Sequence, residues 1–297
     1  MTIKPIQICR LSLKGQQCQA VSTEAITCKY CGSTNVVKYG KKGDTQYYLC
    51  KDCGHTFAWN NALPGMRYPP DQIATAISLF YDGLSIDAIR RQIDSIYKVY
   101  PSDSTVYEWI VRFSRRAVKE ARFTNLKVGD LWIADETMLN IDGQNVWFWD
   151  VIDDETRFLL ASRVSYTRTT RDAQALFEQA SKRADKIPET VITDKLYAYL
   201  DGIELVFGGD AEHVLSEGFR IQPNTNLIER FHGTLKARTK VMRGLKNLES
   251  AIEFTDGWLV NYNFFRPHEA LGNKTPAQVA KADFQYKSWK DVVMGGN

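Results

Sequence analysis

The stretch DLWIADETMLNIDGQNVWFWDVIDDETRFLLASRV, residues 130–164, decides the fold. An Asp-Gly pair and an acidic Asp-Asp-Glu-Thr segment divide it into three hydrophobic runs of strand length. Runs of this length that are joined by short turns are typical of antiparallel hairpins. We therefore predict a meander of three antiparallel strands over 131–139, 146–152 and 158–164.

A helix and a fourth strand are predicted next. The helix covers 171–184, and its inward face carries Ala175, Leu176 and Ala180, with Phe177 as a further candidate. The strand covers 190–193 and ends at Asp194, and weaker patterns fill 198–222 before a helix that carries Glu229. Three antiparallel strands, then a helix, a further strand and more helices form the order of an α/β ribonuclease H-like fold.

Three carboxylates occupy positions in this order from which they could form one site. Asp135 lies in the first strand, Asp194 follows the fourth strand, and Glu229 lies on the late helix. If the first and fourth strands are neighbours, the two aspartates meet at adjacent strand ends and the helix lays Glu229 over them. Carboxylates held close together repel one another unless a cation offsets their charge. Mg²⁺ or Mn²⁺ suits such oxygen ligands, and two such ions support in-line phosphodiester chemistry.

The helix that carries Glu229 sorts its residues into two faces. One face is apolar and has the spacing of a buried helical side (Ile228, Phe231, Leu235 and Met242). The other places Glu229 in a column of cations (Lys236, Lys240 and Arg243). From this segment alone, Glu229 either pairs with its neighbours on the surface or binds a metal while the cations hold a polyanion.

Four of the six cysteines form two CxxC pairs, Cys28/Cys31 and Cys50/Cys53, separated by 18 residues. This spacing is typical of a zinc ribbon with four thiolate ligands, and buried reduced thiols are the alternative. A glycine follows each pair and permits the tight turn that aims both sulfurs at one ion. We predict one structural Zn²⁺ in a ribbon over 28–60. A basic hairpin tip, with Lys41 and Lys42 as candidate DNA contacts, lies between the two pairs.

A proline-rich linker over 60–70 leads to three helical patterns. The first covers 71–81, the second covers 86–93 after Ser85 as N-cap, and the third begins after Pro101 with Ser102 or Asp103 as its cap. The third pattern has four large apolar residues at core spacing (Val106, Trp109, Ile110 and Phe113).

Two short helices followed by a longer one favour a helix-turn-helix domain over 71–122. Arg112, Arg115 and Arg116 on the third helix are then candidate DNA contacts. An ordinary three-helix bundle or a dimerisation arm is the alternative.

The chain has 297 residues, of which 44% are hydrophobic and 25% charged, as in a protein with one sizeable core and one or two small domains. Its net charge of +3 is too small to indicate a nucleic-acid partner by itself. We expect no membrane span and no signal peptide. Reduced thiolates indicate the cytoplasm as the compartment. Residues 1–27 show no clear periodicity and stay unassigned.

The acidic residues resemble those of a known family. Asp135, Asp194 and Glu229, with 34 residues between the last two, resemble the DDE triad of bacterial and archaeal insertion-sequence transposases. The segment NLIERFHGTLK, 226–236, is similar to the glutamate helix of that family, which carries a basic residue seven positions after the glutamate.

Two later segments extend the resemblance, which covers about 70–280. NYNFFRPHEAL, 261–271, and KTP, 274–276, resemble the part that closes the catalytic domain in these enzymes and in retroviral-type integrases. The small transposases that form replicative cointegrates are the most similar kind. Several related families have a Tyr and an Arg before the glutamate, whereas this chain has Asn-Thr-Asn at 224–226, so the subfamily stays open.

The resemblance implies a ribonuclease H-like catalytic domain over 128–285, with Asp135, Asp194 and Glu229 as ligands of Mg²⁺ or Mn²⁺, two ions in all. It implies hydrolysis at terminal inverted repeats, which frees 3′-hydroxyls, and the joining of those ends to target DNA. Lys236 binds DNA near the scissile phosphate in this reading, and three further cations extend the phosphate contacts (Arg238, Lys240 and Arg243).

The same resemblance implies DNA as the partner, at least two copies of the chain on it, and a place at the prokaryotic nucleoid. A ribonuclease H-like nuclease without strand transfer is one alternative, and a DNA-binding regulator with an inactive catalytic domain is another. Three further residues have open roles: Glu136 is expected on the opposite face of its strand in a structural role, while His232 and His268 are structural or belong to the site.

Overall fold

The computed structural model describes residues 25–216, 226–241 and 247–295. The chain divides into two compact units, Met1–Pro69 and Pro70–Asn297. Met242 and Arg243, predicted on the two faces of the Glu229 helix, lie outside the described residues, as do residues 1–24.

The described part of the first unit holds a three-stranded antiparallel sheet. Gly32 and Gly54, which follow the two CxxC pairs, have φ angles of +74° and +73°, so both predicted Cys-Gly turns are confirmed. Cys28, Cys50 and Phe57 are buried between the strands and the turns. The strands pair in chain order: β1 (Val36–Lys42), β2 (Thr45–Cys50) and β3 (Thr56–Ala58).

The second unit begins with three helices, as the sequence predicts: α1 (Pro70–Tyr81), α2 (Ile86–Tyr97) and α3 (Asp103–Ala121). Ser85 caps α2 by accepting a hydrogen bond from the Ala88 amide, and Ser102 caps α3 by accepting one from the Thr105 amide. The four predicted core residues of α3 are all buried (Val106, Trp109, Ile110 and Phe113).

A five-stranded sheet follows in the described part of this unit: β4 (Leu131–Ile141), β5 (Gln144–Asp153), β6 (Leu159–Ser165), β7 (Thr190–Thr193) and β8 (Glu212–Leu215). The strand order is β6-β5-β4-β7-β8. The first three strands are antiparallel, whereas β7 runs parallel to β4 and β8 runs parallel to β7. This is the topology of a ribonuclease H-like fold, so the predicted fold class is confirmed.

Helices cover both faces of the sheet: α4 (Thr170–Ala184), α5 (Tyr197–Phe207) and α6 (Asn226–Val241). Phe148 packs on Phe231 of α6, whereas Trp149 packs edge-on against Tyr199 of α5. Adjacent residues of a strand point to opposite faces, so α5 and α6 lie on opposite sides of the sheet. On α4 the predicted inward residues are buried except Ala175, which is half-buried.

The chain ends in helices that pack back onto the unit: α7 (Leu248–Val260), a π-helical turn (Asn261–Phe265), α8 (Pro276–Val279) and α9 (Trp289–Met294). Asn263 ties this part to the sheet, because its side chain hydrogen-bonds both the amide and the carbonyl of Leu159. Thr275 caps α8 with Pro276 at the first helical position.

Helices α1 and α3 pack against α7 and α9 within this unit. Tyr81 of α1 hydrogen-bonds Ser114 of α3 at 2.6 Å and stacks on Trp289 of α9 at 5.2 Å between ring centroids. Gly257 of α7 makes this packing possible, since a Cβ there would lie 2.0 Å from the Tyr81 hydroxyl. The domain limits 71–122 and 128–285 stay predictions. Among the described helices, none combines the length and the apolar character that crossing a membrane requires.

Candidate active site

The acidic site lies where β7 ends beside β4. The parallel pairing of the two strands stops at Ile133 and Ile192, so the chain beyond Ile192 delivers Asp194 next to Asp135. Asp135, Glu136 and Asp194 each place one carboxylate oxygen within 4.8 Å of the others. The predicted meeting of Asp135 and Asp194 is therefore confirmed, and the catalytic role of the two residues stays a prediction.

Glu229 lies outside this group of three carboxylates in the structure. It is half-buried in the first turn of α6, the helix that crosses β4. Glu136 takes part in the group instead. Its register partner is Trp149, so it starts from the opposite face of the sheet, as predicted. Because β7 does not pair with β4 beyond Ile133, the strand edge is open there, and the long Glu136 side chain reaches the site around it.

Arg168 supplies positive charge to the group. Its guanidinium donates to Glu136 Oε1, lies 3.8 Å from Asp194 Oδ2 and stacks over the Trp147 ring at 4.6 Å. The Glu136 side chain is 2% exposed, and its Oε2 atom accepts no hydrogen bond from the described residues. Three carboxylates whose oxygens lie within 4.8 Å of one another fit a hard divalent ion such as Mg²⁺.

Burial raises the pKa of Asp135 to about 7, and the nearby charges of Asp150 and Glu136 add to this effect. The charge of His232 opposes the rise. A carboxyl group with such a pKa is only partly ionised at neutral pH, so a bound cation stabilises its charged form.

His232 of α6 is buried on the same side as Asp135. Its Nε2 hydrogen-bonds Asp150 Oδ1 at 2.7 Å, and its Nδ1 lies 3.5 Å from Asp135 Oδ2. Burial lowers the pKa of His232, but the charges of Asp150 and Asp135 and the hydrogen bond outweigh it and raise that pKa above its usual value. Sequence reasoning missed Asp150, although a lone acidic residue inside the run VWFWDVI was a signal that it has a partner.

The cations predicted on α6 do not share one environment. Lys236 and Lys240 are exposed, as DNA contacts must be. The prediction that Arg238 lies on the DNA-facing side is wrong, because that residue is only 3% exposed. Its guanidinium lies 4.0 Å from the Phe80 ring centroid and 5.8 Å from that of Phe254, and none of its nitrogens has a hydrogen-bond partner among the described residues.

The arginines predicted on α3 also differ. Arg112 is exposed beside Phe113, and Arg115 is exposed and pairs with Glu253 of α7. Arg116 donates to the carbonyls of Val292 and Val293, so its predicted role as a DNA contact is not supported by its position. The physical reason is that the second half of α3 packs against α7 and α9. In the first unit, Lys41 and Lys42 are exposed at the end of β1, as predicted.

The four cysteines of the first unit come together as predicted. Their sulfurs lie within 4.8 Å of one another, with Cys28 to Cys53 and Cys31 to Cys50 both 3.6 Å apart. Backbone amides, chiefly that of Cys53, lower the pKa of Cys50 to about 7 and so favour its thiolate. Four converging thiols with one thiolate favoured by backbone donors fit a tetrahedral metal ion.

Comparison with solved structures finds retroviral integrases at low similarity. The magnesium complex of the HTLV-2 integrase catalytic core is 17% identical over 52% of this chain and 99% of that one, with a TM-score of 0.41. A simian T-cell lymphotropic virus intasome is 14% identical over 73% and 77%, with a TM-score of 0.42. The BIV integrase core is 18% identical over 52% and 94%, with a TM-score of 0.39. The fold assignment rests on the strand order of the five-stranded sheet.

A search of curated proteins gives no match. Residues 129–268 match the family model DDE_Tnp_IS240, which is described as a DDE domain and is named for a transposase. The match contains β4, β7 and α6, and hence Asp135, Asp194 and Glu229. Residues 129–268 therefore form a DDE domain, and the family resemblance predicted from the sequence is confirmed.

Proposed function

We propose that this chain is an insertion-sequence transposase that binds terminal inverted repeats, cuts DNA at their ends and joins the freed 3′-hydroxyls to target DNA. The observation that carries the proposal is the meeting of Asp135 and Asp194 at the β4–β7 edge, inside the DDE domain. Family and site agree here, since a group of carboxylates is what metal-assisted phosphodiester chemistry requires.

Asp135 and Asp194 hold Mg²⁺ or Mn²⁺ in this proposal, and Glu229 of α6 completes the ligand set, with two ions in all. The ions supply an activated oxygen nucleophile and offset charge on the leaving oxygen. Glu136 lies close enough to contribute an oxygen, but Arg168 already binds it, so we assign it the role of holding Arg168 beside Asp194.

Exposed cations on α6 and α3 are the DNA contacts in this proposal. Lys236 and Lys240 are exposed and lie on the same side of α6 as Glu229, where they bind backbone phosphates near the scissile bond. Arg112 and Arg115 on α3 are the candidates of a helix-turn-helix module over 71–122, and Arg243 stays a candidate outside the described residues. Phosphate contacts of this kind position the DNA and contribute no sequence specificity.

The first unit serves end recognition. Cys28, Cys31, Cys50 and Cys53 hold one Zn²⁺, and the hairpin with Lys41 and Lys42 contacts the repeat. The two ends of the element must be brought together before they are joined to target DNA, so at least two copies of the chain act on the DNA. We place the protein at the nucleoid of a prokaryotic cell, where zinc thiolates stay reduced.

The proposal is tested with the DNA that flanks the gene, in which short inverted repeats are expected on both sides. A labelled repeat end, Mg²⁺ and a supercoiled plasmid should give nicked ends and plasmid-joined products. Nicking without joining indicates the nuclease without strand transfer. Specific binding with neither reaction indicates a regulator with an inactive catalytic domain, and both outcomes contradict the transposase.

A further inference from the structure

Asp150 and His232 form a buried pair directly beside Asp135. Asp150 lies opposite Asp135 in the β4–β5 register, on the same face of the sheet, and is 0% exposed. Its Oδ1 atom is hydrogen-bonded to His232 Nε2 at 2.7 Å, and its Oδ2 atom has no partner among the described residues. A carboxylate buried with only one of its oxygens paired costs free energy, so packing alone does not account for it.

The other nitrogen of His232 faces the acidic site. Nε2 is hydrogen-bonded to Asp150, and Nδ1 is the nitrogen directed at Asp135 Oδ2, 3.5 Å away. His232 thus contacts both Asp150 and Asp135, which are neighbours on adjacent strands. This arrangement matches the way a carboxylate orients an imidazole at a metal centre, except that here the imidazole contacts a ligand and not the ion.

His232 also connects the sheet to the glutamate helix. It lies one turn after Glu229 on α6, so its contacts with β4 and β5 fix the rotation and height of that turn over the sheet. Glu229 lies outside the group formed by Asp135, Glu136 and Asp194. The position of this first turn therefore decides how near Glu229 comes to the two aspartates.

A satisfied core histidine is the simpler explanation of these contacts. His232 is 6% exposed and packs next to Phe231, as many structural histidines do. That explanation accounts for the ring but not for Asp150, since an apolar residue at position 150 would avoid burying a carboxylate. The pair lies directly beside Asp135, the strand residue on which the proposed metal site depends.

We propose that Asp150 and His232 are positioning residues for the acidic site: Asp150 orients the imidazole, which holds Asp135 and fixes the Glu229 turn of α6 over it. The inference rests on the proposed function, because it assumes that Asp135 and Glu229 bind the metal. It assigns no contact with the DNA or the ion to either residue.

The test measures Mn²⁺ affinity by electron spin resonance in the full-length, zinc-loaded protein. Asp150→Asn and His232→Gln should each weaken Mn²⁺ binding by about tenfold, the lower end of the range for partners of metal ligands. The double variant should be no weaker than the weaker single variant, because the two residues act as one unit. If Asp150→Asn does not fold, His232→Gln carries the test.

Asp153→Asn is the matched control. Asp153 is an equally buried carboxylate on the same strand, and it accepts hydrogen bonds from the Thr156 and Gly129 amides away from the site. Its replacement should lower the melting temperature and leave Mn²⁺ affinity unchanged. Unchanged Mn²⁺ affinity in both Asp150→Asn and His232→Gln overturns the inference alone. A wild-type protein that binds no Mn²⁺, or an Asp135→Asn protein that binds it normally, overturns the proposed metal site and this inference together.

Discussion

Ile133 of β4 pairs in parallel with Ile192 of β7, and that pairing brings Asp135 and Asp194 to one edge of the sheet. Each aspartate lies two positions after its isoleucine, so the strand register sets the spacing of the acidic site. A shift of one residue in either strand would turn an aspartate to the other face. The following predictions depend on this geometry and on the groups around it.

Arg168 provides counter-charge in the absence of metal, so Arg168→Gln should destabilise the metal-free protein by about 1–3 kcal/mol. The freed carboxylates of Glu136 and Asp194 should then gain more from Mg²⁺, so the rise in melting temperature on adding Mg²⁺ should be larger than in wild type. Calorimetry with and without Mg²⁺ measures both effects. Arg171→Gln, on the exposed side of α4, is the control, and an equal Mg²⁺ response in all three proteins would contradict the role of Arg168.

The metal-free protein should lose stability as the pH rises toward 7. The pKa of Asp135 is about 7 when folded and about 3.9 when unfolded, so the folded state binds the proton more tightly. The free energy of unfolding therefore falls between these two pH values and levels off above 7. The raised pKa of His232 acts in the same direction.

Between pH 6 and pH 8, without added Mg²⁺, the melting temperature should fall by about 2–4 °C through this term. Asp135→Asn should remove most of the slope, and Mg²⁺ should reduce it in wild type because the ion binds the ionised form. The same slope in wild type and Asp135→Asn would show that this carboxyl is not the titrating group.

Lys236 and Arg238 should differ in their effect on DNA binding, although both lie on α6. Lys236→Met should weaken binding to the repeat end and reduce the slope of log affinity against log salt concentration by about one unit. Arg238→Met should leave that slope unchanged, because its guanidinium is buried against Phe80 and Phe254. A reduced slope for Arg238→Met would show that this side chain reaches the DNA after all.

Cys50→Ser should remove the zinc from the first unit and unfold it, because so small a core depends on its metal. Elemental analysis should find one zinc per wild-type chain and a loss in the variant. Repeat-end binding should weaken while the melting transition of the second unit stays. The control is Met66→Leu, a substitution in the same unit that removes no thiol and should leave the zinc bound. A wild-type protein without zinc would contradict the zinc ribbon.

Much of this architecture follows from local patterns. The turn signals around Asp142 and Asp153 predicted the meander, and the short strand before Asp194 placed the second aspartate at the correct edge. Long-range contacts could not be predicted in the same way. Arg238 lies at the margin of the apolar face of α6, and only the packing of Phe80 from α1 and Phe254 from α7 buries it.

The acidic site was likewise predictable from local patterns only in part. Asp135 and Asp194 could be identified because each has a fixed place relative to a strand, whereas Asp150 was hidden in a hydrophobic run. Its partner His232 comes from a helix far along the chain, so no local pattern connects the two. Glu136 reaches the group around an open strand edge, a detail that depends on where β7 stops pairing.

The central claim is that Asp135, Asp194 and Glu229 hold the metal that drives DNA joining. The most direct measurement is joining of a labelled repeat end to plasmid DNA in Mg²⁺ by Asp135→Asn, Asp194→Asn and Glu229→Gln, each removing a ligand without changing the size of the side chain. All three should lose joining and keep repeat-end binding, while Glu204→Gln, an exposed acid on α5, should join DNA like wild type. Near-normal joining by Glu229→Gln would contradict the account and return that residue to a surface ion pair.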